Sequence, residues 1–517
     1  MKKIIFSKVL IFIKWKYSIL ILLLLVVLLG TGLRFYDLRA NSFVADEFLD
    51  INSAYGYYKT HVWQAWDFNL GKPNSEDVFA PRDERAWLYK WQVAQLFKFF
   101  PLTESVARSV SVGWGIISIF IIYWSACYFT RKKSIGLISA FLFAVSVTAV
   151  AFDRKLRMYA MFYPLYLMLS LFLYKFFEED YRGKIRLIKF ISIKFGINVL
   201  YLIPLAIVAI ASISIQLLTV NIIPVFLIYI LIQILRLAQK KQFINKYSIV
   251  LMSASVIFLA TLVLVPQKII FYSGVLKFFI NNQEYLLKVM QDYGNYILAF
   301  IFLFSGIYYL VREKMNKECL WLSISFFTPL LMAAFLWKRA QGMQYIFFLQ
   351  PFLIILIASG IYFLAKFFEH NLQKFSKKSF FIAIFLALLI LPDYSYYFSS
   401  DNTYKRDTNE VADYRKVFVY VKKNLKSGDV VITRHFRNYY LKGANVKIFD
   451  FGGERAVSKL SLAEVQRIRN KNQSGWIVLF DNDADDFISK EAVKYIQEEF
   501  TKIDNSQVRG ASKAYRW

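Results

Sequence analysis

The sequence predicts a polytopic α-helical membrane protein of about eleven transmembrane helices with a C-terminal extracytoplasmic α/β domain. Three observations carry this. Hydrophobic residues make up 57% of the 517, against roughly 45–50% apolar in an average soluble chain, and mean hydropathy is +0.41. Apolar runs long enough to cross a bilayer recur along the first four hundred residues, separated by basic clusters. From Asp401 onward the pattern turns soluble, with helical and β-branched stretches alternating. The 51 Phe, 34 Tyr and 11 Trp against only 10 Pro and 20 Gly exclude disordered and collagen-like chains.

The apolar runs are centred near Leu24, Phe120, Phe143, Leu167, Ile207, Leu227, Ile257, Leu303, Phe327, Ile355 and Phe385. Basic clusters alternate between them: Lys2, Lys3, Lys8, Lys14 and Lys16, then residues 131–133, 182–194, 236–246, 312–317 and 374–378. By the positive-inside rule these are cytoplasmic. No small-residue cleavage site follows the first run, so it reads as an uncleaved helix with the N-terminus inside. An odd number of crossings then leaves residues 399–517 outside as a separate domain, with outer loops at 35–105, 152–158, 214–222, 266–293 and 337–344. Residues 1–398 form the membrane domain, and a plasma (inner) membrane location follows. Within the outer domain, helices are expected at 410–425 and 489–501, and strands at "SGDVVIT" and "GWIVLFD".

Net charge is +28, of which +22 lies in residues 1–400. In a soluble chain that would suggest nucleic acid; here it fits loops facing anionic membrane lipids, and no nucleic-acid partner is implied. Cys127 and Cys319 suggest neither disulfide nor metal spacing. His61, His370 and His435 are scattered, which argues against a histidine metal cluster. Helix centres are nearly free of ionisable residues, which demotes ion-coupled transport. No nucleotide-binding glycine pattern occurs.

The outer loops are expected to hold the chemistry. "NSFVADEFLD" places Asp46 and Glu47 about a dozen residues past the first helix, where adjacent carboxylates can divide the work of proton acceptor, hydrogen-bond acceptor or cation ligand; the alternative is a solvated acidic pair. "FDRKLRMY" packs Asp153, Arg154, Lys155 and Arg157 between two apolar runs on the side where positive charge is disfavoured. On a helical turn Arg154 and Arg157 would share one face and clamp a phosphate; the alternative is snorkelling toward headgroups. Lys338 and Arg339 form a second outward-facing cluster. With Arg82 and Arg85 they are further candidates for phosphate contact.

Four segments together resemble the C-type, membrane-integral glycosyltransferases of the protein O-mannosyltransferase and aminoarabinose-transferase superfamily. "NSFVADEFLDINSA" resembles that family's "slWxDEa" signature, and "LFKFFPLTESVARSVSVGWGIISI" its "fGxsexaaRlxSxxxG" segment. "FDRKLRMYAMF" is similar to "ySReaRmYal", and "MQYIFFLQPFLIIL" to "RYllxxlPxlll". "DYRKVFVYVKKNLKSGDVVI" more faintly resembles the start of the outer domain in bacterial members. The sequence departs from the family pattern at Arg85, Ala86 and Trp87, which replace His-Pro-Pro. It departs also at Lys155 and Gln344, which replace Glu and Arg, and at Gln216, where many members have His.

The resemblance implies an inverting transfer of a sugar from a polyprenyl-phosphate-linked donor to an acceptor hydroxyl on a lipid, glycan or protein. It makes Asp46 the base, Glu47 its orienting partner, and Arg154 and Arg157 the phosphate clamp. Asp153, Tyr159 and Tyr345 are further site residues. A divalent metal cation, if one takes part, would bind Asp46 and Glu47. The competing readings are a polysaccharide polymerase or ligase using diphosphate-linked donors, a lipid-linked sugar flippase, and a non-catalytic scaffold.

Overall fold

The computed structural model describes residues 2–74, 85–267, 282–337, 342–371, 378–392, 412–451 and 459–517, with only the backbone described at 2–17, 45 and 257. Two compact units emerge. One comprises Met1–Arg34, Val112–Phe152 and Tyr159–Tyr394; the other comprises Phe35–Ser111, Asp153–Met158 and Ser395–Trp517. The polar unit is therefore not the C-terminal segment alone. The first long inter-helix loop and six residues of the second loop belong to it.

The first unit is helical and apolar, and the chain is a polytopic membrane protein. Among the described residues, seven helices are long and apolar enough to span: Ser18–Phe35, Glu104–Thr130, Tyr159–Glu178, Leu217–Ala238, Lys246–Leu264, Asn316–Phe335 and Phe347–Asn371. Two bent pairs add Lys133–Ala144 with Val147–Asp153, at 60°, and Arg186–Phe195 with Val199–Ile215, at 109°; Tyr296–Arg312 and Ser379–Leu389 are shorter apolar helices. All eleven sequence-predicted centres fall within these helices. Leu20, Leu24, Leu25 and Leu28 of the first helix are exposed, as a lipid-facing surface requires. Tyr159–Glu178 and Phe347–Asn371 are the most enclosed of these helices, so they form the centre of the bundle.

Two local devices shape this bundle. Helices Tyr296–Arg312 and Gln350–Asn371 touch backbone to backbone, because a Cβ on Gly306 would lie 1.9 Å from the Leu356 carbonyl oxygen and one on Gly360 1.8 Å from that of Phe302. The break at Val145 and Ser146 is satisfied from both sides. Arg34 Nη1 donates to the Ala144 carbonyl (3.0 Å) and to its own Gly30 carbonyl (3.0 Å). Buried Asp292 accepts from the Thr148 backbone N–H (2.8 Å) and the Ser146 hydroxyl (2.8 Å), capping the helix that follows.

The second unit contains a five-stranded sheet and a hairpin. The hairpin pairs β1 (Trp66–Asp67) with β2 (Lys72–Pro73). The sheet is built from β3 (Val430–Ile432), β4 (Lys447–Phe449), β5 (Gly475–Phe480), β6 (Thr501–Ile503) and β7 (Ser512–Arg516), in the order β4-β3-β5-β7-β6. β3 runs parallel to β4 and β5, while β7 is antiparallel to β5 and β6. Helices Leu462–Lys471 and Lys490–Glu499 bury Val465, Ile468, Ala492 and Ile496 in a core with Ile432, Ile477 and Leu479. The expected strands and helices of this segment are present at Val430–Ile432, Gly475–Phe480, Tyr414–Asn424 and Lys490–Glu499.

The hairpin docks on residues 435–446 of the same unit. The Asn69 side-chain amide donates to the Val446 carbonyl (2.7 Å) and accepts from the Val446 N–H (3.0 Å). Gly443 N–H donates to the Phe68 carbonyl (2.9 Å). Asp67 pairs with the His435 ring at 3.1 Å.

Candidate active site

The helix Ala45–Thr60 opens with Val44 as its cap and with Asp46 and Glu47 in the first turn, where negative charge meets the positive end of the helix dipole. Asp50 lies one turn later, four residues from Asp46, so these two carboxylates share a face. Glu47 lies off that face and is 1% exposed.

Glu47 makes four hydrogen bonds. Its Oε1 accepts from Arg108 Nε (2.9 Å) and Leu156 N–H (2.7 Å); its Oε2 accepts from Arg108 Nη2 (2.8 Å) and Val44 N–H (3.1 Å). Burial alone would raise its pKa. The Arg108 charge and hydrogen bonds, with the Leu156 and Val44 amides, outweigh burial and hold the carboxyl below its ordinary value. The remaining Arg108 donors go to the carbonyls of Leu38 (3.0 Å), Asn41 (2.9 Å) and Ser42 (3.0 Å). One buried ion pair thus ties the 38–47 turn, the first turn of helix Glu104–Thr130 and the 153–158 segment together.

Arg157, 7% exposed, points into the other carboxylate pair. Its Nη1 donates to Asp50 Oδ2 (2.7 Å) and to the Asp46 backbone carbonyl (3.1 Å), while its Nη2 lies 3.1 Å from Asp46 Oδ2. The two carboxylates differ in surroundings: the side chain of Asp46 is 62% exposed and that of Asp50 is 11%. Burial raises the Asp50 pKa above its ordinary value against the opposing charges of Arg157, Lys90 and Arg85, with the Asp46 charge adding to the rise. Lys90, on the helix Trp87–Leu96, is also buried; it donates to the Ser53 hydroxyl at 2.9 Å and lies 5.6 Å from the centre of the Trp63 ring.

Arg154 and Arg157 are held on different partners. Residues 154–158 form turns and bends, not the helical turn on which a shared Arg154–Arg157 face was expected. Arg154 is 6% exposed and donates from Nη2 to the Asp37 carbonyl (3.1 Å), and Asp153 is fully buried. Arg85 is exposed beside Ala86, which adopts a left-handed conformation (φ 53°). Arg82, Lys338 and Arg339 lie outside the described residues. Tyr159 and Tyr345 belong to the helical unit, at the start of helix Tyr159–Glu178 and in the short turn Met343–Tyr345.

Sequence reasoning missed Asp50, Lys90 and Arg108. Arg108 was visible only as the Arg of the "TESVARSVSVGWG" segment that resembles the family's motif. Asp50 was signalled by its four-residue spacing from Asp46.

Glu47 is not placed to hold a cation, because each of its oxygens already accepts two hydrogen bonds, and the charged neighbour of Asp46 is an arginine. No group of three His, Cys, Asp or Glu side chains with metal-binding geometry occurs among the described residues.

No protein-family model matches this sequence, and no curated protein matches it in sequence. Solved structures do match in fold. ArnT from Cupriavidus metallidurans bound to undecaprenyl phosphate matches with TM-score 0.56 and 10% identity, over 97% of this chain and 98% of that one. The oligosaccharyltransferase AglB from Archaeoglobus fulgidus, in complex with an inhibitory peptide and a dolichol-phosphate, matches with TM-score 0.57 and 10% identity, over 90% and 70%. The Archaeoglobus enzyme in complex with zinc and sulfate gives TM-score 0.50 at 9% identity, over 89% and 68%. The chain therefore has the fold of these two membrane transferases, the fold that its sequence motifs imply.

Proposed function

We propose that this chain transfers a sugar from a polyprenyl-phosphate-linked donor to an acceptor hydroxyl on the extracytoplasmic side of the membrane, with Asp46 as general base and Arg157 as the donor-phosphate ligand. The observation that carries the reading is the Asp46–Arg157–Asp50 arrangement: a solvent-open carboxylate 3.1 Å from a buried guanidinium that a second, buried carboxylate holds at 2.7 Å. The fold supports it, since the two transferases above are described with undecaprenyl phosphate and dolichol-phosphate.

In this reading the donor phosphate competes for Arg157 Nη2, the arm now on Asp46, while Asp50 keeps Nη1 in place. Released from its ion pair, the Asp46 carboxylate accepts the proton of the acceptor hydroxyl. The acceptor oxygen attacks the anomeric carbon, the bond from that carbon to the phosphate oxygen breaks, and the lipid phosphate leaves with the electron pair. Arg157 meets the charge that develops on the leaving oxygen, and a guanidinium already fixed in place reorganises less than water would. Arg85 is the described candidate for a second phosphate contact. Glu47 and Arg108 act through position, fixing the backbone that carries Asp46.

The test is transfer in membranes supplied with single-sugar polyprenyl-phosphate donors. Asp46→Asn should lower transfer by about 10²–10⁴-fold, and an unchanged rate would remove Asp46 from the chemistry. A second reading is an envelope polysaccharide polymerase or ligase, in which the donor is a diphosphate-linked oligosaccharide. Transfer from that donor, with none from the monophosphate, would decide for it.

A further inference from the structure

A second candidate site lies in the helical unit, in a cavity of 430 Å³ lined by Lys132, Tyr309, Arg312, Tyr362, Lys366 and His370, among others. We infer that this cavity binds the phosphodiester of an anionic phospholipid headgroup. Its cations come from three separate segments. Lys132 immediately precedes the helix Lys133–Ala144, Arg312 ends the helix Tyr296–Arg312, and Lys366 and His370 occupy the last turns of Gln350–Asn371. These are helix ends that the charge pattern assigns to the cytoplasm, where anionic lipid is met.

Charge matching selects the ligand. Glu313 also lines the cavity, and Lys366 is bonded to Glu369 at 2.6 Å. Against Lys132, Arg312 and Lys366 these carboxylates leave a surplus of one fixed positive charge. A phosphodiester carries one negative charge, so it fits this balance better than a phosphomonoester with nearly two.

A hydroxyl inside the cavity points the same way. Tyr309 is 5% exposed, and its hydroxyl has no hydrogen-bond partner among the described residues. A buried hydroxyl left unbonded is costly, and a phosphate oxygen is the acceptor the surrounding cations would bring to it. The helix Lys133–Ala144 starts beside Lys132 with no side-chain cap, which leaves first-turn amides suited to an anion.

Apolar surface argues for a lipid, and not a free phosphate, as the source. Phe363 and Phe367 line the cavity, and Arg312 lies 6.0 Å from the Phe363 ring centre. Phe367 is 49% exposed, and Tyr308, on the neighbouring helix, 56%. Acyl chains leaving a headgroup held here would cover these rings. The inference does not depend on the transfer chemistry proposed above.

The full chain, delipidated and reconstituted in nanodiscs of mixed phosphatidylglycerol and phosphatidylcholine, tests it by native mass spectrometry of retained lipid. Wild type should retain phosphatidylglycerol preferentially. The double variant Arg312→Gln, Lys366→Gln should lose about tenfold or more of that retention, as expected for two charge-assisted contacts. Tyr309→Phe should lose about threefold, with a melting temperature equal to or above wild type, since only an unbonded hydroxyl is removed from the empty site. Equal retention of the two lipids by wild type would overturn the proposal. So would undiminished phosphatidylglycerol retention in both variants, or displacement of the lipid by millimolar inorganic phosphate, which would assign the site to the free ion.

Discussion

At the scale of single residues, adjacent carboxylates have opposite fates. The sequence shows Asp46 and Glu47 side by side, but helical geometry turns them to different surroundings: Glu47 inward onto Arg108, Asp46 outward beside Arg157. Removing the Glu47 charge strands a buried guanidinium, so Glu47→Ala should cost about 3–5 kcal/mol of stability, measured by thermal unfolding in detergent. Arg108 was legible only as part of a motif, because its partner lies 61 residues away and no local pattern joins them. The Glu47 carboxyl is held below its unfolded value, so its stabilisation is present above that value and disappears as pH falls through the folded one. Asp50 runs the other way. Burial keeps it protonated to a higher pH than a free aspartate, yet its bond to Arg157 needs the anion. Transfer should therefore fall off on the acid side at a pH above the ordinary aspartate range. In Asp50→Asn the acid limb should move to lower pH without vanishing, since the proposed base Asp46 must still be ionised, and donor KM should rise; an unmoved limb would mean another group sets it.

At the scale of elements, hydropathy made every apolar helix legible, but not the breaks within them. Neither proline nor glycine marks the bend at Val145 and Ser146; Arg34 and Asp292, distant in sequence, satisfy the groups it frees. The Gly306–Gly360 contact was equally hidden, since an isolated glycine in a helix does not announce its partner. Gly360→Ala should force the two helices apart and cost about 1–3 kcal/mol, as overpacking does, read as a lower unfolding temperature with the spectroscopic helix content retained. The docked hairpin is a case where pH acts on an element. The hydrogen bond to Asp67 raises the His435 pKa despite burial, and the Asp67 pKa is lowered because its bonds to His435, Leu70 and Asn69 outweigh its own burial. The His435 contribution is complete below its unfolded value near 6.5 and is lost as pH rises through the higher folded value. The Asp67 contribution is lost only in acid. Amide exchange at Asn69 and Leu70, measured at constant intrinsic rate, should quicken as pH rises through the raised folded value of His435 in wild type. It should be fast and insensitive to pH in that range in His435→Ala.

At the scale of the whole molecule, the charge pattern predicts a topology that decides which compartment supplies the acceptor. Residues 182–194 belong to a basic cluster, and the helix Arg186–Phe195 has no buried residue. Long-range packing was illegible: residues 35–105 read as an outer loop, yet Phe35–Ser111 forms one compact unit with the C-terminal sheet. That packing makes the sheet domain a reporter for the segment that carries the proposed base, since Lys423 and Asp46 belong to the same unit. With the two free cysteines Cys127 and Cys319 replaced by serine, a single cysteine can be introduced at exposed Lys423 or exposed Lys184. An impermeant maleimide should label Lys423→Cys in intact spheroplasts and Lys184→Cys only after lysis. The positive-inside rule requires that order, because moving the basic clusters across the bilayer works against the membrane potential at about 2.3 kcal/mol per charge per 100 mV. The reverse labelling would put Asp46 in the cytoplasm, where the acceptor would have to be a cytoplasmic molecule and the proposed extracytoplasmic transfer would fall.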